Sequence, residues 1–197
     1  KWYNEASKFL TTYYGQLAYL KINPNKEFSF NEQIEVYFSK NSQEIKQYAK
    51  WMDSNKLWID TTILEIENQS SEGAEIILLT DEQDQIVKLE SVYYGEMGRS
   101  KTTFYNRNNH LIYVVDSNTT YNRPIYWDST KASESGDDEF FDTEENEYLV
   151  DQFFFRNDTL INCLNNQDCG SPNNEDFLSN EQIRILAQYQ EYILLKK

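Results

Sequence analysis

His110 is the only histidine of the chain, so any Ser-His-Asp or Cys-His catalytic unit would have to use it. It lies in the polar break of a predicted hairpin, where a side chain is expected to be exposed. No Gly-x-Ser-x-Gly sequence, a common setting for a nucleophilic serine, accompanies it. We therefore interpret His110 as an ordinary turn residue, and the sequence assigns no catalytic residue.

Cys163 and Cys169 are the only cysteines. A structural zinc site needs four Cys or His ligands, which this pair and a single histidine cannot supply. Two interpretations stay open. We favour a disulfide that closes the Asn-rich loop, which requires an oxidising compartment. The alternative is a half-buried Cys163 on a strand and a reduced Cys169. We predict no metal site and no cofactor.

Residues 137–147 form an acidic run, Asp-Asp-Glu-Phe-Phe-Asp-Thr-Glu-Glu-Asn-Glu. Ca²⁺ takes about six to eight oxygen ligands, but the run lacks the Asp-x-Asp-x-Asp-Gly order of an EF-hand loop. Paired carboxylates are also what a glycosidase requires, although nearness in sequence does not fix their separation across a sugar. A solvated acidic loop is the interpretation that we favour.

The segment 121–127, Tyr-Asn-Arg-Pro-Ile-Tyr-Trp, combines a guanidinium group with three aromatic rings. Aromatic residues and arginine are enriched in recognition surfaces, so the candidate site for a ligand or partner consists of Tyr121, Arg123, Tyr126 and Trp127. The competing interpretation is a loop that folds back and buries Tyr121, Ile125 and Trp127. The two combine if the aromatics are buried and Arg123 is held in an ion pair.

The formal net charge of −15 excludes one class of partner. A nucleic-acid-binding protein uses Lys and Arg to displace counterions from phosphates, and this surface would repel them. Anionic membrane surfaces are disfavoured for the same reason. An acidic surface that keeps the protein soluble, a cationic partner and Ca²⁺ all remain open.

Three two-armed apolar segments organise the middle of the chain. They are Ile76–Glu90, Thr103–Asp116 and Gln152–Leu164. In each, a short polar break separates two runs rich in β-branched and aromatic residues, which is typical of β-hairpins. Short links between the hairpins place sequential strands side by side, so we predict a meander.

Helical patterns flank these hairpins. We predict helices over 2–20, 42–55 and 179–195, strands over 26–38 and 57–67, and a loop over 131–147. The last helix is predicted to begin at a Ser179–Gln182 capping box, and its core face is expected to contain Ile183, Leu186, Ala187, Gln190 and Leu194. The fold class is therefore α+β: a twisted antiparallel β-meander built from repeated hairpins, with two or three helices packed on one face. We predict a single domain, 1–197, with a hairpin core at 74–165 and helical flanks at 1–56 and 179–195.

Four segments together resemble a group of cell-envelope proteins of Gram-negative bacteria, often predicted lipoproteins, that carry a recurring Tyr-Tyr-Phe-x-Asn-Gly-x-Leu-Ile hairpin. The segments are Tyr93–Gly98, Thr103–Ile112, Tyr121–Tyr126 and Gln152–Ile161. The resemblance covers about residues 74–165. Asn109 and Asp158 stand where the group usually has Gly, and both tolerate the left-handed conformation of such turns. The resemblance implies export to the periplasm or outer membrane and brings no activity with it.

Three functions follow as hypotheses. The first is a non-enzymatic extracytoplasmic binding or envelope protein with an unknown protein or small-molecule ligand. The second is an acidic inhibitor or immunity-type protein that blocks a basic enzyme such as a nuclease. The third is a hydrolase with carboxylates from 134–147. We see no membrane-spanning run. A start at Lys1 rather than Met suggests a mature chain that has lost a targeting segment or lipid anchor.

Overall fold

The computed structural model describes residues 42–66, 70, 72–167 and 175–196. The chain divides into two compact units, 1–51 and 52–197. The first unit contributes most of helix α1 (Ser42–Asn55), which confirms the helix predicted there. The helix predicted over 2–20 and the strand over 26–38 lie outside the described residues. The single-domain organisation stays a prediction.

The second unit is built on a seven-stranded antiparallel sheet in which each strand pairs with the next in sequence. This arrangement confirms the predicted α+β class and the meander. The strands are β1 (Asp60–Ile66), β2 (Ala74–Thr80), β3 (Ile86–Gly95), β4 (Gly98–Arg107), β5 (His110–Thr120), β6 (Glu147–Arg156) and β7 (Thr159–Asn165).

The three predicted hairpins are β2–β3, β4–β5 and β6–β7. In β4–β5 the two turn residues Asn108 and Asn109 have φ of 51° and 63°, and in β6–β7 Asn157 and Asp158 have φ of 48° and 60°. Two consecutive left-handed residues define a type I′ turn, whose twist matches that of the strands. Asn and Asp tolerate this conformation better than other non-glycine residues. The structure therefore confirms that Asn109 and Asp158 adopt the left-handed conformation that these turns need.

All three hairpins contain a register shift near the end of their first arm. The shifts lie at Leu79/Thr80, Tyr105/Asn106 and Phe154/Phe155. A bulge bends its strand and increases the local twist. The repeated unit is therefore a hairpin together with its bulge.

The core lies between one face of the sheet and helix α3 (Glu175–Leu194). Phe104, on the central strand β4, is fully buried, and its ring centroid lies 5.4 Å from that of Tyr189 and 6.1 Å from that of Tyr192. The Tyr192 hydroxyl is 2.8 Å from that of Tyr93 on β3. The buried members of the core are Ile76, Leu78, Leu89, Phe104, Leu111, Val114, Phe153, Phe155, Leu160, Cys163, Ile185 and Tyr192.

Two predictions about the last helix are wrong. The first concerns the Ser179–Gln182 capping box. The helix begins at Glu175, so Ser179 lies inside it. The Gln182 side chain instead accepts a hydrogen bond from the Leu160 backbone of β7 at 2.8 Å. The predicted core face is also misplaced, because Ile185 and Tyr192 are buried while most of that face is exposed. The exposed residues are Ile183, Ala187, Gln190 and Leu194. Tyrosine rings bury more apolar area than these residues would, and that area determines the orientation.

The segment 131–147 was predicted as a loop, and this is wrong in part. Helix α2 (Ser129–Ser135) begins after Asp128, whose side chain accepts from the Thr130 and Lys131 backbones, both at 2.9 Å. Gly136 ends the helix in the left-handed conformation. The two caps stabilise seven helical residues that have almost no apolar pattern, which explains why periodicity missed them.

Candidate partner-binding surface

The connection between β5 and β6 departs from the tight meander. Twenty-six residues, 121–146, separate these neighbouring strands, whereas two residues connect β6 to β7. We call residues 121–146 the β5–β6 excursion. It contains α2 and a 3-10 turn at Thr143–Glu145, which Asp142 caps by accepting from the Glu144 backbone at 2.8 Å.

Asn122 and Arg123 connect the start of the excursion to its second half through hydrogen bonds and ion pairs. The Asn122 side chain donates to the Phe140 carbonyl and to Glu145, both at 2.9 Å. Arg123 Nη2 lies 2.6 Å from Glu139 Oε2 and 3.4 Å from Asp137 Oδ2. These bonds hold the excursion in a defined shape, and they place Arg123 in an intramolecular ion pair.

Tyr121 and Trp127 are half-buried within the excursion. The Tyr121 ring meets that of Phe141 edge-on, with centroids 5.5 Å apart. The Trp127 carbonyl accepts from the Phe141 backbone at 2.7 Å. Of the four residues in the predicted site, Tyr121 and Trp127 pack inward and Arg123 is paired with carboxylates. Only Tyr126 presents its ring to solvent, and whether any of the four contacts a partner stays a prediction.

Tyr126 connects the excursion to the β3–β4 turn. Its hydroxyl donates to Glu96, and Lys131 Nζ lies 5.2 Å from its ring centroid. The hydrogen bond to Glu96 raises the pKa of Tyr126. The Tyr121 backbone also donates to the Met97 carbonyl at 2.9 Å. Two segments that are distant in sequence therefore meet at one end of the sheet.

Five large hydrophobic residues are exposed on these segments and at the start of β6. We call them the apolar patch: Met97, Ile125, Tyr126, Phe140 and Tyr148. Of this set, only Tyr126 was predicted from the sequence as a site residue. A usable signal was present, because Met97 and Phe140 are large apolar side chains in acidic or turn segments where no core pattern requires them.

An open depression of about 490 Å³ lies beside the β3–β4 turn. Its wall is formed by the adjoining ends of β3, β4 and β5, and Met97 belongs to both the depression and the apolar patch. Its lining includes Tyr93, Tyr94, Met97, Arg99, Asn118 and Thr119. The end of the sheet thus offers a shallow, open depression next to exposed apolar side chains, and exposed apolar side chains that lie together mark interaction sites.

Negative charge is concentrated around the patch. Eight Asp and Glu against two Lys and Arg give the excursion a formal charge of −6, in a chain with a net charge of −15. Six of the eight acidic side chains are exposed: Asp128, Glu134, Asp138, Glu139, Glu144 and Glu145. A potential of one sign over such a surface attracts and orients a cationic partner.

His110 has a structural partner. Its Nδ1 lies 2.8 Å from Oδ2 of Asp158, whose Oδ1 accepts from the Leu111 backbone at 2.9 Å. Asp158 belongs to the β6–β7 turn, so a single carboxylate joins the tips of two hairpins. His110 was predicted in the turn, but it is the first residue of β5, directly after the turn, and its imidazole helps to join the two hairpin tips.

We predict that Asp158→Gly lowers the free energy of unfolding by about 1–2 kcal/mol relative to Asp158→Asn, measured by urea denaturation. Glycine accepts the left-handed φ without strain but loses both hydrogen bonds. Asparagine keeps an acceptor and tolerates the same φ. Equal stabilities would mean that the two hairpin tips are not coupled.

Cys163 lies on β7 in the core, and burial raises the pKa of its thiol to about 11. In its reduced form it is therefore protonated at neutral pH and a poor nucleophile. Cys169 lies outside the described residues, so the disulfide between the two cysteines stays a prediction.

The opposite face of the sheet contains a network of partly buried charges. Lys88 Nζ is 2.7 Å from Asp53 Oδ1, in the last turn of α1, and 2.9 Å from Glu90 Oε1. Lys101 Nζ is 2.9 Å from Glu90 Oε2, and the Tyr105 hydroxyl donates to Asp53 Oδ2 at 2.8 Å. Buried ionisable groups with shifted pKa values are frequent in active sites, so this network requires a functional test.

The directions of the pKa shifts favour a structural role. Burial alone would lower the pKa of Lys88, but its hydrogen bonds to Asp53 and Glu90 outweigh burial and raise it. Burial alone would raise the pKa of Glu90, but hydrogen bonds from Lys101 and Lys88 lower it. A general acid or base needs a pKa near the working pH. Both groups move away from neutrality, so both stay charged and fix the strands in place.

Comparison of the chain with models of protein families, with curated proteins and with solved structures found no match. Within the described ranges, no three His, Cys, Asp or Glu side chains come together as a metal site would require. None of the helices in those ranges combines the length and apolarity needed to cross a membrane.

Proposed function

We propose that this protein is a non-enzymatic binding protein, and that the apolar patch and the excursion receive a protein partner with a basic surface. The observation that carries the proposal is the position of the patch. Exposed rings and a depression lie at the end of the sheet that also holds a local charge of −6. Apolar anchors within a charged rim are the usual anatomy of an interface. The ion pairs of Arg123 hold this surface in shape before binding, which lowers the entropy cost of association.

We place the protein in the envelope of a Gram-negative bacterium, outside the cytoplasm. The hairpin resemblance supports this location. The test is to express the gene with its own upstream sequence and to separate periplasm, membranes and cytosol. Recovery of the protein with the cytosolic fraction would contradict the proposed location. It would not contradict the proposed binding surface.

The binding test uses the chain as bait for an envelope extract. We expect it to capture a basic protein, and the association rate with that purified partner should fall about tenfold or more between low and high salt. Tyr126→Ala should weaken binding by about fivefold or more, because aromatic anchors dominate interface energies.

The charge requirement has a matched control. Glu134→Gln/Glu144→Gln removes two exposed charges of the excursion and should slow association severalfold. Glu65→Gln/Glu82→Gln removes two exposed charges elsewhere and should have a smaller effect. Equal effects of the two pairs, or capture that survives Tyr126→Ala, would contradict the proposed surface.

The same acidic field favours a second candidate, an inhibitor or immunity-type protein that blocks a basic enzyme. Adding the chain to the captured partner distinguishes an inhibitor from a protein that only binds. If the partner is an enzyme and loses its activity at equimolar chain, the protein is an inhibitor. Unchanged activity would exclude inhibition and would be consistent with the binding proposal.

A further inference from the structure

Strand β1 is an open edge of the sheet. Within the described ranges it pairs with β2 on one side only, so alternate residues of β1 direct their backbone N–H and C=O groups away from the sheet. Ile63 on β1 is 59% exposed, and Ile59, directly before the strand, is 70% exposed. The edge at β7 differs, because Gln182 of α3 accepts a hydrogen bond from the Leu160 backbone there. Helix α3 thus contacts one edge of the sheet and leaves the other open.

β1 lacks the features that usually prevent pairing at a sheet edge. Natural edges are protected by a lysine, a proline, a bulge or a very short strand. The seven residues of β1 contain neither Lys nor Pro, and their register with β2 has no shift. Leu64 and Ile66 pack against the core but are only partly buried. The edge is therefore a regular template, about 24 Å long, for one more strand.

An uncompensated pair of negative charges lies beside this edge. Glu65 is directly opposite Glu75 of β2, and like charges in this position destabilise a sheet. In the part of the chain that the structure describes, no ion pair includes Glu65, Glu75 or Asp60. A strand added beside β1 can place a Lys or Arg about 5 Å from Glu65 and reduce the repulsion. The edge therefore favours a basic strand.

The same charges make a second copy of the chain a poor occupant of the edge. Antiparallel pairing of two β1 strands about Ile63 would place Glu65 opposite Thr61 and Asp60 opposite Ile66. In-register parallel pairing would place Glu65 beside Glu65 of the second copy. Neither arrangement supplies a cation, and each copy carries a net charge of −15. The occupant that fits is a segment of a different, basic chain.

We propose that β1 binds an extended, basic polypeptide segment that pairs with it as an additional strand. In this mode of recognition the backbone hydrogen bonds supply affinity and alternate side chains supply specificity. On one face the segment carries Lys or Arg beside Glu65 and an apolar residue beside Ile63. On the other face an apolar residue covers Leu64. The proposal does not rest on the partner-binding surface, because three strands separate β1 from β5, where the excursion begins.

The first experiment measures the fluorescence anisotropy of a labelled peptide, Val-Lys-Val-Val-Thr-Thr-Lys with blocked termini, as the full chain is added. Paired antiparallel to β1, the peptide places its first Lys beside Glu65 and its second beside Asp60. We expect saturable binding with a Kd on the order of 10–100 µM, because one strand buries a small area. The same peptide with Glu in place of both Lys residues should bind at least about tenfold more weakly.

Two pairs of variants test where the peptide binds. Ile63→Lys should weaken binding about tenfold or more, whereas Ile183→Lys makes the same change at a position of α3 that is 64% exposed and should leave binding unchanged. Glu65→Lys should weaken binding about fivefold or more, whereas Glu134→Lys reverses an exposed charge of the excursion and should have a smaller effect. Tyr126→Ala, which is directed at the apolar patch, should not change peptide binding. The melting temperature of each variant checks that it is folded.

N-methylation of the peptide tests whether its backbone pairs with β1. One version carries N-methyl groups at the second, fourth and sixth residues, and the other carries them at the third and fifth. A paired strand directs only one of these sets of N–H groups toward its neighbour. One version should therefore lose binding and the other should keep it.

Four results would overturn the proposal. The first is the absence of saturable binding at chain concentrations up to about 1 mM. Equal effects of N-methylation in the two versions would exclude strand pairing. Equal losses from Glu65→Lys and Glu134→Lys would show that the peptide responds only to overall charge. A mass that rises with concentration without peptide, and that Ile63→Lys returns to 23.5 kDa, would show that a second copy occupies the edge.

Discussion

Replacing Lys88 with methionine is expected to lower the free energy of unfolding by about 2 kcal/mol. The Lys88 side chain is 10% exposed and bonds to Asp53 and Glu90. Methionine fills a similar volume, so packing changes little. The loss arises because Glu90 then keeps only Lys101 and Asp53 keeps only Tyr105. Water replaces part of the contact at Asp53, whose side chain is 39% exposed.

Lys101 provides the matched control. It bonds to the same Glu90, but its side chain is 37% exposed and water can replace the contact. Lys101→Met should therefore cost less than about 1 kcal/mol. Adding Glu90→Gln to Lys88→Met should recover part of the loss, because the partner charge is then removed as well. Equal losses for Lys88→Met and Lys101→Met would show that burial does not determine the strength of this network.

The pH dependence follows from the directions of the two pKa shifts. Because the pKa of Glu90 is lowered from 4.5, its contribution is present above pH 4.5 and is lost as the pH falls through its folded-state pKa. Because the pKa of Lys88 is raised from 10.5, its contribution is present below pH 10.5 and is lost as the pH rises through its folded-state pKa. The Lys88→Met penalty should therefore be constant near neutrality and should shrink in acid, where Glu90 of the variant protonates. A penalty that grows in acid would contradict this account.

The hairpins could be predicted because their determinants are local. The alternation of apolar and polar residues specifies a strand with two different faces. Pairs such as Asn108-Asn109 specify the turn between two strands. Sequential strands with short links can only pair with their neighbours. The meander therefore follows from segments of about fifteen residues without long-range information.

The orientation of α3 could not be predicted in the same way. The helix has two apolar stripes, one through Ile185 and Tyr192 and one through Ile183 and Leu194. Periodicity detects both and does not rank them. The choice depends on the sheet, where Tyr93 offers a hydroxyl to Tyr192 and Phe104 offers a ring.

The candidate surface was predictable only in part, and for a related reason. Tyr126 could be identified from its own segment. Its connection to Glu96 of the β3–β4 turn, thirty residues away, depends on the meander bringing β3, β4 and β5 together at one end of the sheet. The burial of Lys88 could not be predicted either. A lysine that alternates with apolar residues in a strand is expected to face solvent, and only the folded structure shows that this one is buried.

Phe104→Ala should lower the free energy of unfolding by about 3–5 kcal/mol, because a cavity remains between the central strand and α3. Phe104 is fully buried between Tyr189 and Tyr192, so the lost ring contacts all belong to the packing of the helix on the sheet. Urea denaturation gives the size of the loss. Hydrogen exchange should show it first in α3, which loses its central contact.

Phe140→Ala is the matched control, since it removes the same ring from an exposed position. It should change stability by less than about 0.5 kcal/mol, yet it should weaken binding of the basic partner proposed for the apolar patch. Phe104 is thus an aromatic residue that packs the core, whereas Phe140 is one that lies on the proposed binding surface. A large stability loss from Phe140→Ala would show that the patch belongs to the core and would remove the main support for the binding surface.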